Sequence, residues 1–192
     1  MTAPHCIFVS QEEIEILARR QVRVIHCPFS NCGKGVPPTP QLLHARIPVG
    51  LGTDGSAHGG LDLFREMRLF RCVINATQGV ASADSHIMPA ETLLSMATKG
   101  GAAALMEPGL GLLQNGAPAD LIAVDAGAPH LWPTQNLVHT LVESASGSDV
   151  RHSIVNGKLL MKNRELLTID AQRVRREAEL LFEKQPWLQN WK

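Results

Sequence analysis

The chain has 192 residues, with 18 Lys+Arg set against 18 Asp+Glu and 44% hydrophobic residues. That balance excludes an electrostatic footprint for nucleic acid or an anionic membrane surface, and no apolar run reaches the roughly 18 residues of a membrane span. Residues 1–10 have neither the basic start nor the apolar core of a secretory signal, and Cys6, Cys27, Cys32 and Cys72 form no CxxC or zinc-finger spacing, so they read as reduced thiols of a cytoplasmic protein.

In chain order, residues 1–9 read as the end of a strand, with apolar Cys6, Ile7, Phe8 and Val9 after His5. Ser10 and Glu13 form a capping box, which predicts a helix to about Arg20 with Ile14, Leu17 and Ala18 inward. Val22, Val24 and Ile25 predict a short strand that stops at His26-Cys27-Pro28. Residues 29–38 read as a Gly/Pro-rich loop, and Thr39 as the N-cap of a helix over about 40–45. Val49 to Asp54 is apolar on both faces, the pattern of a strand buried in a parallel sheet. Leu63, Met67, Phe70 and Ile74 mark the buried stripe of a helix over about 61–76.

Residues 1–76 thus alternate strand and helix three times, the pattern of a parallel sheet. Residues 77–88 read as a loop, and 90–97 with 100–106 as a pair of small-residue helices. From Ala119 the texture changes to a small sheet: a strand over 120–125, a short helix over 136–144, and a hairpin turning at Asn156-Gly157, whose residues suit a type I′ turn. Asp170 caps a last amphipathic helix to about Lys184, with Ala171, Val174, Ala178 and Leu181 inward, and a tail carries Trp187 and Trp191. The expected domains are 1–118, 119–168 and 169–192.

Each early strand ends on a residue able to do chemistry: His5, then His26 with Ser30 and Asn31 just beyond, then Asp54. A carboxylate where a buried parallel strand ends sits where α/β folds place their sites. Asp54 there needs a partner, whether a metal ion, a substrate amine or a basic side chain. Gly52 and Gly55 leave room for a close approach to the backbone. Of the two strand-end histidines, His26 reads as a satisfied structural one and His5 as the functional one, and His58, in a Gly-rich loop, reads equally as a substrate contact or a solvated side chain. Cys27 and Cys32 read as buried thiols rather than as a soft-metal site with His26. The Arg65-Glu66-Met67-Arg68 run reads as a helix face with charged ends.

His5-Cys6, His26-Cys27-Pro28-Phe29-Ser30-Asn31, Gly52-Thr53-Asp54-Gly55 and Asp62-Leu63-Phe64-Arg65-Glu66-Met67-Arg68, in this order, resemble the amidohydrolase superfamily. The likeness is closest to its adenosine-type and triazine deaminases and chlorohydrolases. Gly116-Ala117-Pro118-Ala119-Asp120-Leu121 and Val155-Asn156-Gly157-Lys158 resemble that group's C-terminal motifs. The resemblance implies an α/β fold: the last three βα units of a (β/α)8 TIM barrel plus part of a small β-sandwich. It implies one divalent metal, zinc ahead of iron, at the C-terminal mouth. By the same resemblance Asp54 ligates that metal and takes a proton from the attacking water, and His5 orients the water or polarises the leaving group. His26, Ser30, Asn31 and His58 fall on the substrate side. The implied reaction is hydrolysis of a C–N bond of a small heterocyclic substrate, a deamination of the adenosine, S-adenosylhomocysteine or triazine kind; a homo-oligomer is compatible with it.

The family pattern also includes a His-x-His pair, a further histidine and a glutamate that residues 1–192 do not contain, and a whole barrel takes about 250 residues. The expectation is therefore a C-terminal portion of a longer enzyme. The competing expectation is a truncated, non-catalytic chain that is inert or acts only by associating with the missing part. The loop from Asn31 to Pro40 is shorter than in the family, and His58-Gly59-Gly60 stands where many relatives have asparagines.

Overall fold

The computed structural model describes residues 1–56 and 60–185. These form two compact units, one of residues 1–118 with 125–149 and one of residues 119–124 with 150–192.

The first unit is built on three parallel strands in the order β1 (Thr2–Pro4), β2 (Arg23–His26), β3 (Val49–Leu51). Register pairs Ala3 with Val24 and Ile25 with Gly50. The apolar run 6–9 is not part of a strand: β1 is the unpromising Thr-Ala-Pro that precedes it, and Phe8 is exposed. Pairing with β2, not β-propensity, selects that segment. His5 consequently lies just past the C-terminal end of its strand, as His26 and Asp54 lie at or just past the ends of theirs.

Helix α1 (Gln11–Arg19) starts on the predicted capping box: Glu13 N–H donates to Ser10 Oγ, and Ser10 N–H donates to the Glu13 carboxylate at 2.7 Å. The segment read as a loop contains α2 (Pro28–Cys32), with Pro28 at its first position; proline there is pre-set for a helix start. Helix α3 (Thr39–His44) follows, but Thr39 is no cap, because its side chain is turned into the core. Helix α4 (Leu63–Ile74) is capped by Asp62, which accepts the Phe64 N–H. The chain does not loop out after it; it stays helical through a π segment at Asn75–Gly79 and α5 (Val80–Ser82), ending at Ala83 with φ 53°. The helical pair is one run, α6 (Ala90–Ser95), a π segment Met96–Gly100 and α7 (Gly101–Ala104).

The core joins β2 and β3 to α4 and α6 through Val24, Val49, Leu51, Met67, Phe70, Ile74 and Leu93. Gly100 lets helix and strand meet: a Cβ there would stand 2.4 Å from the Val49 carbonyl oxygen. The unit closes with α8 (Leu137–Glu143), capped by Asn136 and burying Val142.

The second unit is an antiparallel sheet, β4 (Leu121–Val124), β5 (Val150–Val155), β6 (Lys158–Lys162) and β7 (Glu165–Leu166). Asn156 and Gly157 make the β5–β6 turn with φ 48° and 74°, the positive values a type I′ turn demands. Helix α9 (Ala171–Glu183) has the predicted Asp170 cap but none of its residues is buried; Val174 and Leu181 are exposed. Among the described residues no helix is long and apolar enough to cross a membrane.

Candidate active site

Parallel register brings the C-terminal ends of β1, β2 and β3 together, and with them His5, His26 and Asp54. His5 Nε2 lies 3.8 Å from Asp54 Oδ2, and both side chains keep about a third of their surface exposed. Each is oriented by α2. The Ser30 hydroxyl donates to Asp54 Oδ2 at 2.8 Å, and His5 Nδ1 meets Asn31 Oδ1 at 2.8 Å. An amide oxygen only accepts, so His5 Nδ1 donates to Asn31, and Nε2 is the nitrogen that faces Asp54. The Gly55 N–H completes the cradle of the acid, donating to Asp54 Oδ1 at 2.7 Å. Four of the predicted site residues therefore converge: His5, Ser30, Asn31 and Asp54.

Both His5 (φ 67°) and Asp54 (φ 59°) are left-handed. A non-glycine residue there costs roughly 1–2 kcal/mol, and such strain gathers where a side chain must be aimed.

His26 is placed differently. It is fully buried, its ring edge-on to Phe70 with centroids 5.4 Å apart. Nδ1 bonds the His5 carbonyl oxygen at 2.9 Å and Nε2 meets Thr39 Oγ1 at 3.0 Å. Burial lowers its pKa to about 4, so the ring is neutral near pH 7. With both nitrogens engaged inside the protein, it has no atom to offer a substrate. His58, with Trp187 and Trp191, lies outside the described residues.

Four supporting residues, Thr39, Glu66, Arg65 and Lys34, are not marked as such by the sequence pattern. Thr39 was assigned to a cap. Glu66, assigned to a charged helix face, is fully buried and accepts the Phe29 N–H at 2.8 Å, which ties the start of α2 to α4. Arg65 stacks on Phe29, 4.9 Å above the ring. Lys34 Nζ reaches the Ser30 carbonyl at 3.2 Å and its hydroxyl at 3.4 Å, which places a cation one hydroxyl away from Asp54. Pro28 at a helix start was the available signal for α2; none existed for Glu66, because only packing reveals that its face is turned inward.

Zinc takes carboxylate oxygens and imidazole nitrogens, four donors in a closed site and three in an open one. Asp54 and His5 supply two groups of the right kind, but among the described residues no three His, Cys, Asp or Glu side chains gather to hold an ion. The residues present fit one side of a metal site. The four cysteines are free thiols, and burial raises the pKa of Cys27. A cavity of about 340 Å³ bounded by Gln21, Arg23, Arg46 and Pro48 opens at the opposite, N-terminal ends of the strands.

The chain has counterparts of known sequence and structure. The Amidohydrolase family profile matches residues 1–160. A 5-methylthioadenosine/S-adenosylhomocysteine deaminase of Dictyoglomus thermophilum is 46% identical over 180 residues, 92% of this chain and 41% of that protein. Its counterpart in Syntrophobacter fumaroxidans is 44% identical over 178 residues, 91% of this chain and 40% of that protein. Among solved structures, an adenosine deaminase of Xanthomonas campestris with bound zinc superposes with a TM-score of 0.89 at 31% identity, covering 95% of this chain and 42% of that one. An atrazine chlorohydrolase of Arthrobacter aurescens complexed with zinc gives 0.81 at 27% identity, covering 94% and 40%. The chain spans about two fifths of the length of these relatives. On the profile match over 1–160 and the shared fold, the chain belongs to the amidohydrolase family.

Proposed function

We propose that this chain carries the strand-end acid and histidine of a metal-dependent aminohydrolase that deaminates a small heterocycle of the 5-methylthioadenosine/S-adenosylhomocysteine kind. The observation that supports it most is the facing pair, His5 Nε2 and Asp54 Oδ2 at 3.8 Å, each held by its own α2 side chain. The names of the sequence relatives support the substrate class, and the bound zinc of two structural neighbours supports zinc ahead of iron.

In this reading Asp54 is the ligand this chain supplies, and the remaining ligands come from the part of the relatives that the chain does not span. A bound divalent metal supplies Lewis acidity and brings a water within reach of ionisation near neutral pH. Asp54 Oδ2 would accept that water's proton, with the carboxylate held and aimed by the Ser30 hydroxyl and the Gly55 N–H. His5 Nε2 accepts a hydrogen bond from the same opening and so orients the attacking group toward an sp² ring carbon; the proton held on Asp54 is then delivered to the departing amine. Residues 1–118 read as the last three βα units of a (β/α)8 barrel, 119–168 as part of a small β-sandwich and 169–192 as a closing helix and tail. The free thiols support a cytoplasmic setting.

The test is ammonia release from 5-methylthioadenosine, S-adenosylhomocysteine and adenosine by the zinc-loaded enzyme. Asp54→Asn lowers turnover at least about a hundredfold with an unchanged circular dichroism spectrum; full activity in that variant overturns the reading. The absence of a three-ligand cluster among the described residues favours a second reading, in which the 192-residue chain alone is inert. Metal analysis separates the two: tight, stoichiometric zinc in the purified chain contradicts inertness.

A further inference from the structure

We infer that His26 is a positioning residue: it holds the main chain of His5 in its left-handed turn, and Thr39 holds His26 in the one tautomer able to do so. The role rests on the function proposed above for His5 and goes beyond it by assigning two residues that touch neither substrate nor metal.

The turn itself is unusual. Cys6 N–H donates to the Pro4 carbonyl at 2.9 Å, closing a three-residue turn with His5 at its centre and φ 67°. Three-residue turns with a positive central φ are the rare, strained kind. Cys6 follows with φ 43°, so two consecutive non-glycine residues are left-handed. Pro-His-Cys-Ile contains neither a glycine nor an asparagine; histidine enters this region occasionally and cysteine rarely, so the sequence alone does not fix the turn. Such a conformation persists only where the surroundings over-determine it.

The surroundings are two adjacent residues of β2. His5 N–H donates to the Ile25 carbonyl at 2.8 Å, and the His5 carbonyl accepts from His26 Nδ1 at 2.9 Å. Both main-chain groups of His5 are thus fixed from one strand, and its side chain is left to Asn31 and the Asp54 side of the opening.

The polar inventory then determines every proton. A carbonyl only accepts, so His26 Nδ1 carries the hydrogen. In a neutral ring Nε2 must then accept, and Thr39 Oγ1 is its donor at 3.0 Å. If Thr39 gave its proton to the Pro37 carbonyl instead, 3.4 Å away, Nε2 would be buried without a donor, at a cost of about 1–3 kcal/mol. The chain runs in one direction: Thr39 fixes His26, His26 fixes the His5 carbonyl, and the fixed turn delivers the His5 ring to Asn31 with Nε2 toward Asp54.

The test is imidazole nitrogen spectroscopy of the 192-residue chain labelled with ¹⁵N-histidine, at one mildly alkaline pH. Both His5 and His26 are expected as single Nδ1–H tautomers. His26→Asn places an amide N–H where Nδ1 stood and keeps the His5 signature. His26→Gln places its amide at the Nε2 position and, like His26→Phe, lets His5 average between tautomers while the amide shifts of α4 and β3 persist. A His5 signal unmoved in both Gln and Phe variants, or moved equally by Asn and Gln, overturns the inference. Should the His26 variants fail to fold, Thr39→Val against Thr39→Ser decides it: loss of the His5 tautomer in the first and its return in the second supports the chain, and no change in either refutes it. None of these readouts uses turnover. An active Asp54→Asn enzyme would sink the proposed function and leave this result standing.

Discussion

Two regions of the molecule adopt the same uncommon backbone conformation for opposite reasons. In the β5–β6 hairpin, Asn156 and Gly157 have φ 48° and 74°. At the ends of β1 and β3, His5 and Asp54 have φ 67° and 59°. The hairpin residues are those that tolerate a left-handed backbone, and the turn they make is local. Histidine and aspartate enter that region less readily than glycine, and here they are tied to partners 20 or more positions away, Ile25 and His26 for His5 and Ser30 for Asp54, beside the local Gly55 N–H on Asp54. Where positive φ serves only to reverse the chain, the sequence relieves it; where it aims a functional side chain, the strain is kept.

Substitution by glycine breaks that comparison most sharply. Asp54→Gly and Asp54→Ala both lose the hydrogen bonds to Ser30 and Gly55, but only glycine relieves the backbone, so Asp54→Gly is expected to be about 1 kcal/mol more stable than Asp54→Ala in urea unfolding, while both lower ammonia release at least about a hundredfold. An Asp54→Gly protein no more stable than Asp54→Ala would show that the conformation there is not strained.

The next effect is on pH. The native pKa of His26, lowered to about 4 from 6.5 by burial, which outweighs the raising effect of its hydrogen bond to the His5 carbonyl, lies below its unfolded value. The unfolded chain therefore binds the proton first. The stability associated with the neutral ring is complete above pH 6.5 and declines as pH falls toward 4, by on the order of 3 kcal/mol. Asp149 adds a separate loss at lower pH: burial would raise its pKa, but hydrogen bonds from His130 and Ser146 outweigh burial and hold it below the usual range. Urea unfolding of wild type and His26→Asn at a series of pH values isolates the His26 part; identical curves between pH 6.5 and 4 would refute it.

Gly157→Ala in the hairpin is the mirror of Asp54→Gly. Nothing lies within 4 Å of the added Cβ, so the cost is conformational alone, about 1 kcal/mol in urea unfolding. The smallest effect is Ser10→Ala, which removes one half of the α1 capping box and costs about 1 kcal/mol or less by the same measurement.

Much of the fold was legible in the sequence because its signals are local. The capping box at Ser10, the apolar run at Val49, the stripe from Leu63 to Ile74 and the Asn156-Gly157 turn each report a structure formed within a few residues. The candidate acid was legible because a lone carboxylate ended a strand buried on both faces. What was misread is non-local. Thr-Ala-Pro became β1 because β2 offered it a register, Thr39 left its cap position because His26 needed a donor, and Glu66 left a charged face because Phe29 had an unpaired N–H.

By itself the sequence determined that three βα units would line up parallel and bring His5, His26 and Asp54 to one end, since hydrophobic period and strand-end chemistry are written residue by residue. The sequence already favoured His5 over His26 as the functional histidine; only the tertiary structure decided how His26 is sealed and how His5 is aimed. Both depend on which hydrogen-bond partners the packed helices α2 and α3 deliver to each ring nitrogen, and no pattern along the chain encodes that pairing.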